Sequence, residues 1–124
     1  MRKVLISINP EHVVKILSGE KKFEYRTKVA QKDVDTLVIY ETTPVKRVVG
    51  EVKILDVLAL SPEELWAKTK DYSGISKSFF DAYFQGRSVA YAYRLGEVKV
   101  YESPRELSFY GIKTAPQSFV YLNV

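Results

Sequence analysis

The chain has 124 residues, a net charge of +4 and no cysteine. That length fits one domain able to bury a core unaided, and the missing thiols exclude a disulfide framework, a thiol nucleophile and a zinc–thiolate site. The modest positive charge suits polyanion binding and plain solubility equally, and no apolar run reaches signal-peptide or membrane-span length, so a soluble cytoplasmic protein without a membrane partner is expected.

Residues 3–8 alternate, with Val4, Ile6 and Ile8 on one face, which predicts a first strand with one buried side. Asn9-Pro10-Glu11 reads as a helix start, with Asn9 accepting from a free backbone N–H and Pro10 in the first helical position. Val13, Ile16 and Leu17 share a face, and Gly19 supplies the left-handed stop, so a helix over 10–18 is predicted. Residues 22–28 should be extended, with Lys22, Glu24 and Arg26 on one face and Phe23 and Tyr25 on the other.

A polar connection over 29–35 leads into 36–40, a β-branched and aromatic run expected of a central strand. Thr42-Thr43-Pro44 breaks it, and 46–57 reads as a long strand with a bulge or close approach at Gly50. Ser61 and Glu64 have capping-box spacing around Pro62, so a helix should run to about residue 68. Ser76 is placed to cap a third helix ending near Gly86, with Phe79, Phe80 and Tyr83 as its apolar face. Residues 88–95 and 98–100 predict a hairpin turning at Gly96. Ser103-Pro104-Arg105-Glu106-Leu107 repeats the helix-start pattern, and 117–122 closes the chain as a last strand. Six or seven strands with short helices predict an α+β, mostly β fold of barrel type.

Several chemistries are excluded. There is no Walker A loop, Rossmann glycine fingerprint or nucleophile elbow. His12 is the only histidine, read as facing solvent, and no carboxylate spacing suits an EF-hand, so neither metal nor cofactor is expected. What remains is Gly19-Glu20-Lys21-Lys22-Phe23-Glu24-Tyr25-Arg26. Its charges admit three readings: a surface ion-pair ladder, a recognition edge in which Lys and Arg grip phosphate, and a catalytic pair of lysine base and carboxylate.

Gly19-x-Lys21-x-x-Glu24-x-Arg26 resembles in full the G-x-K-x-x-E-x-R motif of ASCH domains, and the likeness extends over most of the chain. The resemblance implies a single domain over 1–124 with a PUA-like β-barrel and short peripheral helices. It also implies a cleft between barrel and helices, lined by Lys21, Glu24 and Arg26. Thr42 and Thr43, beside Pro44, would reach it from a second side, and Gln117 and Ser118 from the last strand. Tyr72 would offer a stacking surface, as would Tyr40 and Trp66.

By the same resemblance, the expected ligand is RNA or a nucleotide-like molecule. ASCH-like amidohydrolases acting on acetylated cytidine share a lysine at the Lys21 position. They have a threonine nucleophile where this chain has Glu24, and a later glutamate unmatched around residues 74–77. Amidohydrolase or ribonuclease activity, with Lys21 and Glu24 as catalytic residues, is the alternative reading. A coregulator domain binding a protein partner is a further one.

Overall fold

The computed structural model describes residues 2–31 and 33–122. Its elements in chain order are β1 (Arg2–Ile8), α1 (Pro10–Leu17), β2 (Phe23–Arg26), β3 (Val34–Glu41), β4 (Arg47–Leu60), α2 (Pro62–Thr69), α3 (Lys77–Tyr83), β5 (Ala90–Arg105) and β6 (Phe119–Leu122). Short 3-10 turns occupy Lys70–Tyr72 and Leu107–Tyr110. The strands form one sheet in the order β2-β5-β4-β3-β1-β6, with β2 and β6 as its edges. β1 and β3 run parallel, and the other described pairings are antiparallel. The class is the expected one: mostly β, barrel-like, with short helices, although the sheet is not closed by a ladder.

The sheet wraps a core that α1 fills. Val13 and Ile16 of α1 pack with Val4, Ile6 and Ile8 of β1, Leu37 and Ile39 of β3, Val52 of β4 and Tyr93 of β5. Gly19, at φ 84°, ends α1 in the left-handed conformation. Where the sheet stays open, side chains span the gap. Arg26 Nη2 on β2 donates to the Ser7 carbonyl on β1 at 2.8 Å, and the Gln31 N–H donates to the Tyr121 hydroxyl on β6 at 3.2 Å.

β1 departs from its expected pattern. Leu5 is fully buried as well, in a second cluster with Val38, Tyr40, Val48 and Tyr101 beneath the 107–115 segment. Both faces of β1 are therefore covered. β3 is central and doubly buried, as its apolar run predicted. The irregularity expected at Gly50 is present: both ladders of β4 shift register between Val48 and Gly50, and a Cβ on Gly50 would lie 2.6 Å from the Lys99 carbonyl oxygen.

The expected hairpin at Gly96 and helix start at Ser103 are overturned by one 16-residue strand, β5, paired along β4. Gly96 makes room rather than a turn: a Cβ there would lie 2.8 Å from Leu55 Cδ2. Pro104 is tolerated because β5 bulges locally. Between the pairs Gly50–Val100 and Val48–Arg105, β4 advances two residues and β5 five, so Pro104 needs no ladder N–H.

The helix caps behave mostly as read. Ser61 Oγ accepts from the Glu64 N–H, and Ser76 Oγ from the Phe79 N–H. Asn9 differs. Its side chain caps no N–H and instead accepts from the Thr42 hydroxyl at 3.0 Å, tying α1 to the loop after β3.

Candidate functional site

A cavity of about 240 Å³ opens where the sheet fails to close. The end of β1 contributes Ser7 and Ile8, and the first turn of α1 contributes His12. β2 supplies Glu24, Tyr25 and Arg26, with Lys21 at its mouth, and α3 supplies Phe79 and Tyr83. The local reason is the period of two in β2. Phe23 and Tyr25 turn into an aromatic cluster with Phe80 and Phe84, so Glu24 and Arg26 turn into the cavity.

Lys21 is 3% exposed. Its Nζ donates to the Ser73 carbonyl at 2.6 Å and lies 4.8 Å from the Tyr25 ring centroid. Burial outweighs the nearby Glu24 carboxylate and pushes its ammonium down to about 8. The loop after α2 clamps the lysine stem. The Lys22 N–H donates to the Tyr72 carbonyl at 2.9 Å, and Lys15 Nζ to the Gly74 carbonyl at 3.0 Å. Gly74 has φ 69°, and a Cβ there would lie 2.6 Å from Lys21 Cγ, so any side chain would displace the lysine.

Glu24 and Arg26 form a nearly buried pair at 3.0 Å, through Nε and Oε2. With Nη2 committed to Ser7, Arg26 keeps Nη1 without a protein partner among the described residues. A half-bonded guanidinium fork beside a buried ammonium is suited to an anionic oxygen.

His12 faces the cavity rather than open solvent. Its ring packs edge-on to Phe79, with centroids 5.5 Å apart, and its buried Nδ1 has no hydrogen-bond partner among the described residues. Burial, and then the Lys21 charge, push its imidazolium below the ordinary histidine range. Below Tyr25, two hydrogen bonds tie the floor to α2: its hydroxyl donates to Thr69 Oγ1 at 2.7 Å, and Thr69 donates to the Leu65 carbonyl at 2.8 Å.

Of the residues singled out from the motif and its neighbours, Lys21, Glu24, Arg26 and Gln117 line this cavity. Thr42 and Thr43 do not, although Thr42 holds Asn9, which does. Ser118 bonds through its carbonyl to the Ser7 N–H, and Tyr72 lies outside, exposed, under the Lys22 ammonium. Trp66 packs on Phe80, and Tyr40 is core.

The α3 face also differs from its reading. Phe80 and Phe84 are the buried pair, while Phe79 and Tyr83, half exposed, wall the cavity. The two i,i+4 pairs were visible in the sequence, but which one faced the core was not. For His12 the signal was positional: only Asn9 separates β1 from α1, so the first helical turn must sit at the strand's end.

Among the described residues, no group of three or more His, Cys, Asp or Glu is placed to hold a metal ion. No described helix is long and apolar enough to cross a membrane.

A barrel-like sheet with a charged cavity at its opening, lined from the G-x-K-x-x-E-x-R stretch that leads from α1 into β2, defines a fold of the ASCH type. The ASCH domain model matches residues 6–114, and the chain belongs to that family. It is 28% identical over 95 residues to the ASCH domain-containing ribonuclease of Zymomonas mobilis, covering 76% of this chain and 64% of that protein. The crystal structure of ASCH from the same organism superposes with a TM-score of 0.89 at 26% identity, over 98% of this chain and 87% of that one. A protein of Ureaplasma parvum named large ribosomal subunit protein uL22 is 32% identical over 121 residues, which are 96% of this chain and only 39% of that relative. The chain thus spans well under half of that relative's length.

Proposed function

We propose that this chain binds RNA by taking a nucleotide into the β2 cavity. The observation that carries the reading is the juxtaposition of Lys21 and the open edge of Arg26 in a space of about 240 Å³ walled by Tyr25, Phe79 and Tyr83. Cations meet the phosphate, the aromatic walls meet the base, and Glu24 holds Arg26 in place. Kinship with a protein named a ribonuclease supports RNA as the ligand class.

The test is fluorescence anisotropy of labelled single-stranded RNA across a salt series. Lys21→Ala/Arg26→Ala should weaken binding and flatten the salt slope by about 0.7 for each phosphate that is no longer neutralised. Unchanged affinity and slope in a folded double variant would sink the proposal.

Cleavage of that RNA is a second reading, favoured by one observation: two nitrogen bases shifted toward neutrality share the cavity. His12, neutral at pH 7, would take the proton of a ribose 2′-hydroxyl as its oxygen attacks phosphorus. Lys21, still mostly protonated, would give a proton to the departing 5′-oxygen, and Arg26 would hold the charged phosphoryl oxygens. The products are a 2′,3′-cyclic phosphate and a free 5′-hydroxyl. Mass spectrometry after incubation with short RNA reads both ends, and an acetylated cytidine sample tests the amidohydrolase alternative in parallel. No turnover above the Lys21→Ala control would remove both activities.

A further inference from the structure

A second candidate site lies on the outer side of the sheet, around the turn that follows β5. Two grooves, of about 510 and 540 Å³, flank this turn and share Gly111 and Ile112 as lining. Arg105 and Lys3 line one groove; Lys46, Arg47 and Lys113 line the other. Against these five cations stand two carboxylates, Glu51 and Glu106. Both are engaged, Glu51 with Lys3 at 3.3 Å and the Tyr101 hydroxyl at 2.8 Å, and Glu106 with Arg47 at 3.6 Å.

Phe109, 66% exposed, lines the groove that holds Arg105 and Lys3 and follows Ser108, which lines the other. The Arg105 guanidinium lies 4.7 Å from its centroid and 4.1 Å from that of Tyr101, and Nη1 donates to the Tyr110 hydroxyl at 3.0 Å. Tyr110 meets Phe109 edge-on, with centroids 5.0 Å apart. An aromatic ring is therefore braced by a guanidinium and a second ring while remaining mostly in water. Such exposure forgoes burial that would favour folding. On the rim, Lys46 adopts φ 52°, a left-handed backbone that a non-glycine residue holds only at a cost.

We infer that this face is a second contact surface for single-stranded RNA, with a base stacked on Phe109 and flanking phosphates on Arg105, Lys113 and Lys46. A braced, exposed ring with cations in its own groove and in the adjoining one matches a polynucleotide, in which every phosphate is followed by a flat base, better than an acidic peptide, whose carboxylates carry no such regular ring. The two sites are also in reach of one another. Lys3 and Ser7 lie on the same face of β1, four residues or about 13 Å apart, one at this groove and the other at the β2 cavity. The final segment runs alongside, with Gln117 at the cavity and Val120 at the groove. One RNA strand can therefore touch both. The choice of RNA as occupant rests on the function proposed above; the surface itself does not.

The experiment measures binding of a twelve-nucleotide oligouridine and of a uridine dinucleotide to the full chain. Phe109→Ala/Lys113→Ala should weaken the long oligomer roughly tenfold and leave the dinucleotide unchanged, and Phe109→Trp should keep the long oligomer bound as in wild type. Wild-type affinity for the long oligomer in the double variant would overturn the inference. So would a loss caused wholly by Lys113→Ala with Phe109→Ala silent, which reduces the face to general charge attraction. If Lys21→Ala/Arg26→Ala changes neither ligand while Phe109→Ala/Lys113→Ala weakens the long one, the cavity reading fails and this one stands.

Discussion

The two faces of β2 do opposite things with four consecutive residues. Phe23 and Tyr25 enter an aromatic cluster where Phe80 lies 5.3 Å from Tyr25 and 4.9 Å from Phe84, all three in edge-on arrangements. Glu24 and Arg26 enter a cavity that leaves part of the guanidinium unbonded. One face gains free energy from burial and ring packing. The other holds a buried ion pair, an arrangement whose desolvation offsets much of its attraction. A single alternation of side chains thus sets a packing face beside a charged one, with the Tyr25 ring edging both the cluster and the cavity, and substitutions should tell the two faces apart.

The largest stability effect belongs to the aromatic face. Phe80→Ala removes the centre of the cluster and should cost about 3–5 kcal/mol in urea unfolding; a loss under about 1 kcal/mol would mean that the cluster is incidental. Gly74→Ala acts on both faces at once. It combines a left-handed backbone with a contact at 2.6 Å against Lys21, and should lower stability by about 1–3 kcal/mol. It should weaken RNA binding as well, and a variant that loses stability alone would show that the position of Lys21 is not tied to the ligand.

Tyr25→Phe deletes only the hydroxyl bonded to Thr69 and should cost about 0.5–1.5 kcal/mol. RNA affinity should be retained if the cavity uses the ring and not the hydroxyl. The smallest effect is expected at Arg94→Ala. Its pair with Asp56 is exposed at both ends and screened by solvent, so the urea midpoint should stay close to that of wild type.

Lys21 gives the comparison a pH axis. The unfolded chain keeps the lysine proton up to about its ordinary value of 10.5, whereas the folded protein releases it near 8. Between these values the unfolded state binds more protons, so folding stability should rise with pH through this window relative to Lys21→Met. Urea midpoints of both proteins at pH 7.5 and pH 10 measure the difference. Parallel behaviour of the two would show that the buried amine is not desolvated.

Much of this was legible in the chain. Helix α1, the caps at Ser61 and Ser76, the central strand β3 and the alternation of β2 all follow from local chemistry, and local chemistry is where they were read. The errors share a cause in distant partners. Gly96 looks like a turn until Leu55 is seen beside it, and Pro104 looks like a helix start until the β5 bulge removes the need for its N–H. Leu5 counts as core only because residues from 107 onward fold back over it. Within the cavity, the motif marked Lys21, Glu24 and Arg26. His12 was signalled only by the single residue between β1 and α1, and the Phe79–Tyr83 wall depends on how α3 docks, which no local pattern encodes.

The bond from Arg26 to the Ser7 carbonyl has one more consequence. It is a clasp between the two sides of a sheet that never closes, and the same guanidinium offers its remaining edge to the cavity. Under the proposed function, a phosphate at that edge would share one guanidinium with the clasp, so Arg26→Lys, which gives up the fork, would loosen the junction of β1 and β2 and the hold on the ligand together.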